Sequence, residues 1–201
     1  RDDPTESRTT EDAWERVVLS DAATFVMGQA PPGSECNARG AGTVFVKAGE
    51  FGERFPIVRE WTTRPLKLAR RGDVLICVVG ATAGKVNLAI DCAIGRSVAA
   101  VRPNQRLSSE FLYWTLYLRV RKIRAGARGS AQGVISRDDL ASIVIGLPPL
   151  AEQRRIVAKV DELMALCDEL EARQRRSAEA RKRARDTTLH RVVSSAGTPL
   201  M

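Results

Sequence analysis

The stretch "GATAGK", Gly80 to Lys85, follows the apolar run "DVLICVV". A buried strand, then glycines, then a lysine is how a phosphate-binding loop begins, so nucleotide chemistry is the first reading to test. The loop of that class runs G-x-x-x-x-G-K-[ST], but only three residues separate Gly80 from Gly84 here. Val86 stands where a hydroxyl would meet Mg²⁺. The "VNLAI" that follows Lys85 alternates like a strand, whereas a phosphate loop opens a helix whose N-terminus holds the anion. The segment reads as a β-hairpin with a short glycine-bearing turn.

Other catalytic patterns are missing. G-x-S-x-G and H-E-x-x-H do not occur. His190 is the one histidine and sits in a basic stretch, which leaves little scope for a His-based triad. Asp138 and Asp139 follow Ser136, where an N-cap and the helix dipole account for them. The four cysteines, Cys36, Cys77, Cys92 and Cys167, form no C-x-x-C pair, so no zinc site is supported. Cys77 and Cys92 lie in strand-like apolar runs and Cys167 in a helical seam. They read as small core residues of a reducing compartment. The chain reads as a non-enzyme without a cofactor or metal of its own.

Side chains suited to nucleic acid are present. Two polar glycine loops, 27–42 and 126–133, carry Gln29, Asn37, Arg39, Arg128, Ser130 and Gln132. Arg, Gln and Asn read guanine and adenine edges bidentately. Lys47, Lys85, Arg96 and Arg124 are candidates to hold phosphates. Each is also an ordinary surface residue taken singly, and glycine and asparagine equally suit plain connectors. The net charge of +8 and pI near 9.9 favour an anionic partner, although an arginine-rich proteome produces the same balance.

The elements that must carry these residues follow from pattern. Residues 1–13 read as a charged leader and no signal peptide. From 14 to 148 several short strands alternate with turns: 16–26, running into a short turn, then 43–49, 70–80, 85–90 and 97–103. They suggest a twisted, mainly antiparallel sheet. A helix is expected over 108–126, opened by a serine cap before Glu110, with Phe111, Leu112, Leu116, Val120 and Ile123 at helical spacing. A helical turn, a strand and a proline stop follow over 137–149. No run approaches the ~18 apolar residues of a membrane span, and the chain reads as cytoplasmic.

Between Pro149 and Arg191 there is no glycine and no further proline. Ile156, Val160, Leu163, Cys167 and Leu170 step by four and three, the seam of a coiled coil. Some forty helical residues extend roughly 60 Å, too long to bury within one small domain. The helix must pair or protrude. Past Leu170 the stripe fades and eight basic residues face Glu179 and Asp186. Two readings stand for that end: a solvated helix terminus, or a contact for phosphate or an acidic partner. Residues 192–201 read as a loose tail.

At "IGLPPLAEQRRIVAKVDELMALCDELEA", 145–172, the sequence resembles the specificity subunits of type I restriction-modification systems. Their pattern L-P-P-L-x-E-Q-x-x-I-V is matched by Leu147, Pro148, Pro149, Leu150, Glu152, Gln153, Ile156 and Val157. "MGQAPPGSECN", "RRGDVLICVVGATAGKV", "IGRSVAAVRP" and "ARGSAQGVISRDDLASIVIGLPP" resemble further family segments, so the likeness covers roughly residues 15–175. It implies an α+β target-recognition domain over 14–148 and a long coiled-coil spacer helix over 149–191. It also implies that the chain reads double-stranded DNA and pairs its helix antiparallel with a second one, from another copy or another half-subunit. Modification subunits would dock on the helices and carry S-adenosylmethionine, with the restriction subunit a further partner. Family members resemble two such units in tandem, whereas one is found here. A coiled-coil scaffold with incidental basic charge is the rival reading.

Overall fold

The computed structural model describes residues 14–126 and 134–196, with their side chains except at 120–126, 182 and 184–196. The chain divides into two compact units, Arg1–Val157 and Ala158–Met201.

The first unit is α+β, as expected. β1 (Glu15–Val18) and β2 (Ala23–Met27) flank one helical turn, α1 (Leu19–Ala22). Then come β3 (Cys36–Asn37), β4 (Thr43–Val46), β5 (Trp61–Thr62), β6 (Leu68–Ala69), β7 (Val74–Cys77), β8 (Val86–Leu88), β9 (Cys92–Ile94) and β10 (Val98–Pro103). Helix α2 (Ser109–Gly126), the short α3 (Arg137–Ala141) and β11 (Val144–Leu147) complete it. These strands form two larger sheets and a ribbon where one sheet was expected. The orders are β2-β10-β7-β8, β3-β5-β4-β9-β6, and the pair β1-β11. Pairing is antiparallel except between β4 and β9.

The four-stranded sheet is covered on both faces, which explains why "VLICVV" is apolar without alternation. Val74, Ile76 and Val78 face one cluster, with Ala99 and Val101 of β10 and with Phe111, Leu112 and Leu116 of α2. Leu75 and Cys77 face the other, with Val98, Ala100, Val46 and Ile94. Burying each Leu is worth about 1.5–3 kcal/mol. Burial pushes the Cys92 thiol up to about 12, so it behaves as a small apolar residue. Beside β7, Arg102 grips the buried Asp73 with two bonds of 2.8 Å. The same carboxylate accepts Arg70 N–H at 3.0 Å and closes the turn in which Gly72 holds φ +98.

Caps bound the helices where the sequence places them. Ser108 Oγ accepts Phe111 N–H at 3.2 Å at the start of α2. Ser136 and Asp139 form a reciprocal capping box on α3, so Asp139 is structural. The final helix, α4, runs Leu150–Ala196, five residues into the stretch expected as tail. Among the described residues no helix is long and apolar enough to cross a membrane.

Candidate nucleic-acid interface

The "GATAGK" segment is the turn of a hairpin. β7 and β8 pair antiparallel, with Ile76 opposite Val86. Gly80 (φ +77) and Gly84 (φ +87) adopt conformations that disfavour a Cβ. A strand, not a helix, follows Lys85.

That hairpin lies in a row across the four-stranded sheet. Gly28 N–H donates to Val98 O at 2.9 Å, Val98 is opposite Cys77, and Cys77 N–H donates to Lys85 O at 2.9 Å. Three strand spacings span about 14 Å. Just beyond this row lie Gln29, whose N–H reaches Ile94 O at 3.0 Å, and Arg96, in the connection from β9 to β10. Gln29, Lys85 and Arg96 are all exposed. Pairing thus brings together three of the residues singled out in the sequence. Ile135 N–H bonds Val78 O at 2.8 Å, so the chain after 127–133 re-enters at this same end of the sheet.

The approach of these loops requires glycine. A Cβ on Gly28 would lie 2.1 Å from Gly95 O, and one on Gly95 would lie 3.1 Å from Lys47 Cγ. The close contact forms a shallow concavity lined by Gln29, Pro31, Pro32, Arg64, Leu66 and Arg96. Arg64 was not marked by the sequence. It follows β5 in an irregular stretch without a motif, and only the fold carries it to Arg96.

A second concavity, lined partly by Asn37, Phe45, Lys47, Glu50, Arg59 and Glu60, is balanced in charge. Lys47 forms an ion pair with Glu60 and lies 5.7 Å from the Phe45 ring centre. The Glu60 hydrogen bond raises the Lys47 pKa. Lys47, a candidate to hold phosphate, is thus already paired with a carboxylate in the folded protein. Asn37 is committed too. Its Oδ1 accepts from Arg39 N at 3.2 Å and Ala41 N at 3.0 Å, and its Nδ2 donates to Ala41 O at 2.8 Å. An amide so engaged shapes its loop and has no free pair of groups for a base edge. Arg39 is exposed beside it. Burial first, then Glu60, raises the Cys36 thiol, which argues against a reactive thiolate.

Arg124 lies within α2, its side chain outside the described set, and Arg128, Ser130 and Gln132 lie outside the described residues. Of the helix seam, Ile156 is half-buried against the first unit's core and serves that core as well. Val160 is half-buried, while Leu163 (49%) and Leu170 (57%) are exposed. Cys167 is exposed as well, so it is no core residue of the single chain.

Residues 11–180 match the type I restriction modification DNA specificity domain. The chain belongs to that family. A putative type I restriction enzyme MjaX specificity subunit from Methanocaldococcus jannaschii is 35% identical over 76% of this chain and 38% of the relative. The type I restriction enzyme EcoDI specificity subunit of Escherichia coli is also 35% identical, over 41% of this chain and 19% of its own length. Among solved structures, the HsdS subunit from Thermoanaerobacter tengcongensis superposes with TM-score 0.72 at 36% identity, covering 85% of this chain and 42% of that one. A structure addressing complex assembly and conformational transition of the type I R-M system gives TM-score 0.78 at 36% identity, over 90% and 46%. This member of the specificity-domain family thus spans less than half the length of each of these relatives.

Proposed function

We propose that this chain supplies one DNA-reading head and one spacer helix of a type I restriction-modification specificity subunit. The observation that carries the reading is the convergence of Gln29, Lys85, Arg96 and Arg64 around one end of a sheet, in a domain of this family. The span of about 14 Å across that end is comparable with the ~12 Å major groove of B-DNA. Lys85, Arg96 and Arg64 hold phosphates, which supply affinity but no sequence information. Gln29 reads a base edge, together with Arg39 and the loop side chains Arg128, Ser130 and Gln132, while Arg124 is a further phosphate contact.

The helix pairs through Val160, Leu163, Cys167 and Leu170 with a second such helix, from another copy or another half of a longer subunit. The stiff pair fixes the distance between two half-sites, and joining two weak heads raises avidity. The chain itself is non-catalytic. Modification subunits carrying S-adenosylmethionine perform the chemistry in the cytoplasm, and the restriction subunit joins them.

The test is selection from a random duplex pool by the complex of this protein with its modification subunits. A defined half-site is expected, with reduced enrichment for a Gln29→Ala, Arg96→Ala double variant. Recovery of unselected sequences by the native complex would refute the reading.

A further inference from the structure

Two exposed apolar side chains stand among the polar groups of the reading end. Val79 is 41% exposed and Val134 is 55% exposed. They come from different segments, and one ladder of bonds unites them. Val78 N–H donates to Ser97 O at 2.9 Å, and Ile135 N–H donates to Val78 O at 2.8 Å. The second bond links the peptide unit 134–135 to the unit 78–79, so Val79 and Val134 flank a single hydrogen bond. At the adjoining Gly80 a Cβ would meet nothing within 4 Å.

Isolated apolar residues on a surface need no explanation. These two are paired by the fold, and exposed cations adjoin them along the chain and the ladder: Arg96 precedes Ser97 in the ladder, and Lys85 ends the hairpin turn that Val79 begins. Valine is stiff at χ1, so both present a preformed apolar surface at little entropic cost. A cationic margin around an apolar centre complements a DNA groove, where phosphates border the base edges. In the major groove the apolar group that distinguishes one base from the others is the thymine 5-methyl. We propose that Val79 and Val134 read a thymine of the half-site through that methyl group. The proposal rests on the DNA-reading function above and assigns part of its specificity.

The complex with the modification subunits is used, on the half-site it selects. Each thymine is replaced singly by uracil, which removes the methyl and leaves base pairing intact. At one position the loss should be about fourfold, the worth of one buried methyl-sized group. Val79→Ala and Val134→Ala should weaken binding to the thymine duplex by a similar factor and leave the uracil duplex unaffected. A half-site without thymine, uracil tolerated at every position, or equal losses on both duplexes would each overturn the proposal. Equal losses would point instead to an apolar wedge between base steps, which is indifferent to the methyl. If the native complex selects no half-site at all, the DNA-reading function itself fails, a result distinct from these.

Discussion

The side-chain amide of Gln153 closes on the backbone of Ser108, 45 residues earlier in the chain. Gln153 Oε1 accepts Ser108 N–H at 2.8 Å, while Nε2 donates to Arg106 O and Pro148 O, each at 2.8 Å. The side chain is fully buried. One amide thereby ties the first turn of α4 to the start of α2 and to the end of the β11 connection. It also gives a physical reason for glutamine in the "LPPLAEQ" stretch: the site needs one acceptor and two donors from one planar group.

Gln153→Ala should therefore be costly. It orphans three backbone groups, one buried and two part-buried, and each buried group left unpaired costs about 1–3 kcal/mol. A loss of about 2 kcal/mol or more is expected in urea unfolding followed by far-ultraviolet circular dichroism, the penalty of the buried group plus a smaller part from the other two. Gln153→Glu should be no better, because its second oxygen faces two carbonyls. A loss under about 1 kcal/mol for the alanine variant would mean that the amide holds nothing together.

Gly28 is the second test of packing. With Gly95 O only 2.1 Å from the position of an added Cβ, Gly28→Ala must push two loops apart. Overpacking of this kind costs about 1–3 kcal/mol, and the shift moves Gln29 away from Arg96. Thermal melting and duplex binding should both suffer. Gly33→Ala is the control, since its Cβ would meet nothing within 4 Å, and it should leave both unchanged.

The two concavities predict different salt behaviour. Removing a cation that neutralises a phosphate lowers the slope of log K against log salt by about 0.9. Arg64→Ala and Arg96→Ala should each show this drop in a titration of DNA binding. Lys47→Ala should not, because Lys47 is already paired with Glu60. A full drop for Lys47→Ala would show that the ion pair opens on DNA.

Asp139 provides a signature in acid. Its hydrogen bonds from the Ser136 hydroxyl and backbone hold its carboxyl below the ordinary 3.8. A folded-state pKa below the unfolded one means that the capping box contributes fully above about pH 4 and fades as pH falls through the depressed value. Asp139→Ala removes the N3 half of the capping box and should cost about 0.3–1 kcal/mol at pH 7, the usual worth of an acidic group at a helix N-terminus. Between pH 4 and 2 the native and variant stabilities should converge. Parallel curves across that range would remove the carboxylate from the account.

Much of this protein is determined locally and was therefore legible in its sequence. Counting residues from Gly80 to Val86 separates a hairpin from a phosphate loop, because turn geometry depends on a few neighbouring dihedrals. Ser108 and Ser136 announce the helices they cap, and the four-three spacing from Ile156 to Leu170 announces the long helix. Pairings between distant segments have no such local mark. Only strand register sets Gly28 and Lys85 in one row with Val98 and Cys77, with Gln29 just beyond it, and only the fold brings Arg64, after β5, to the concavity that Arg96 lines. The same distance in sequence hid the commitments of Lys47 to Glu60 and of Ile156 to the core, and even the short loop of Asn37 shows only in the fold how its amide is engaged. Residue type tells which contacts a side chain is able to make. The partners it meets are chosen by non-local hydrogen bonds and packing, which exist only once the chain has folded.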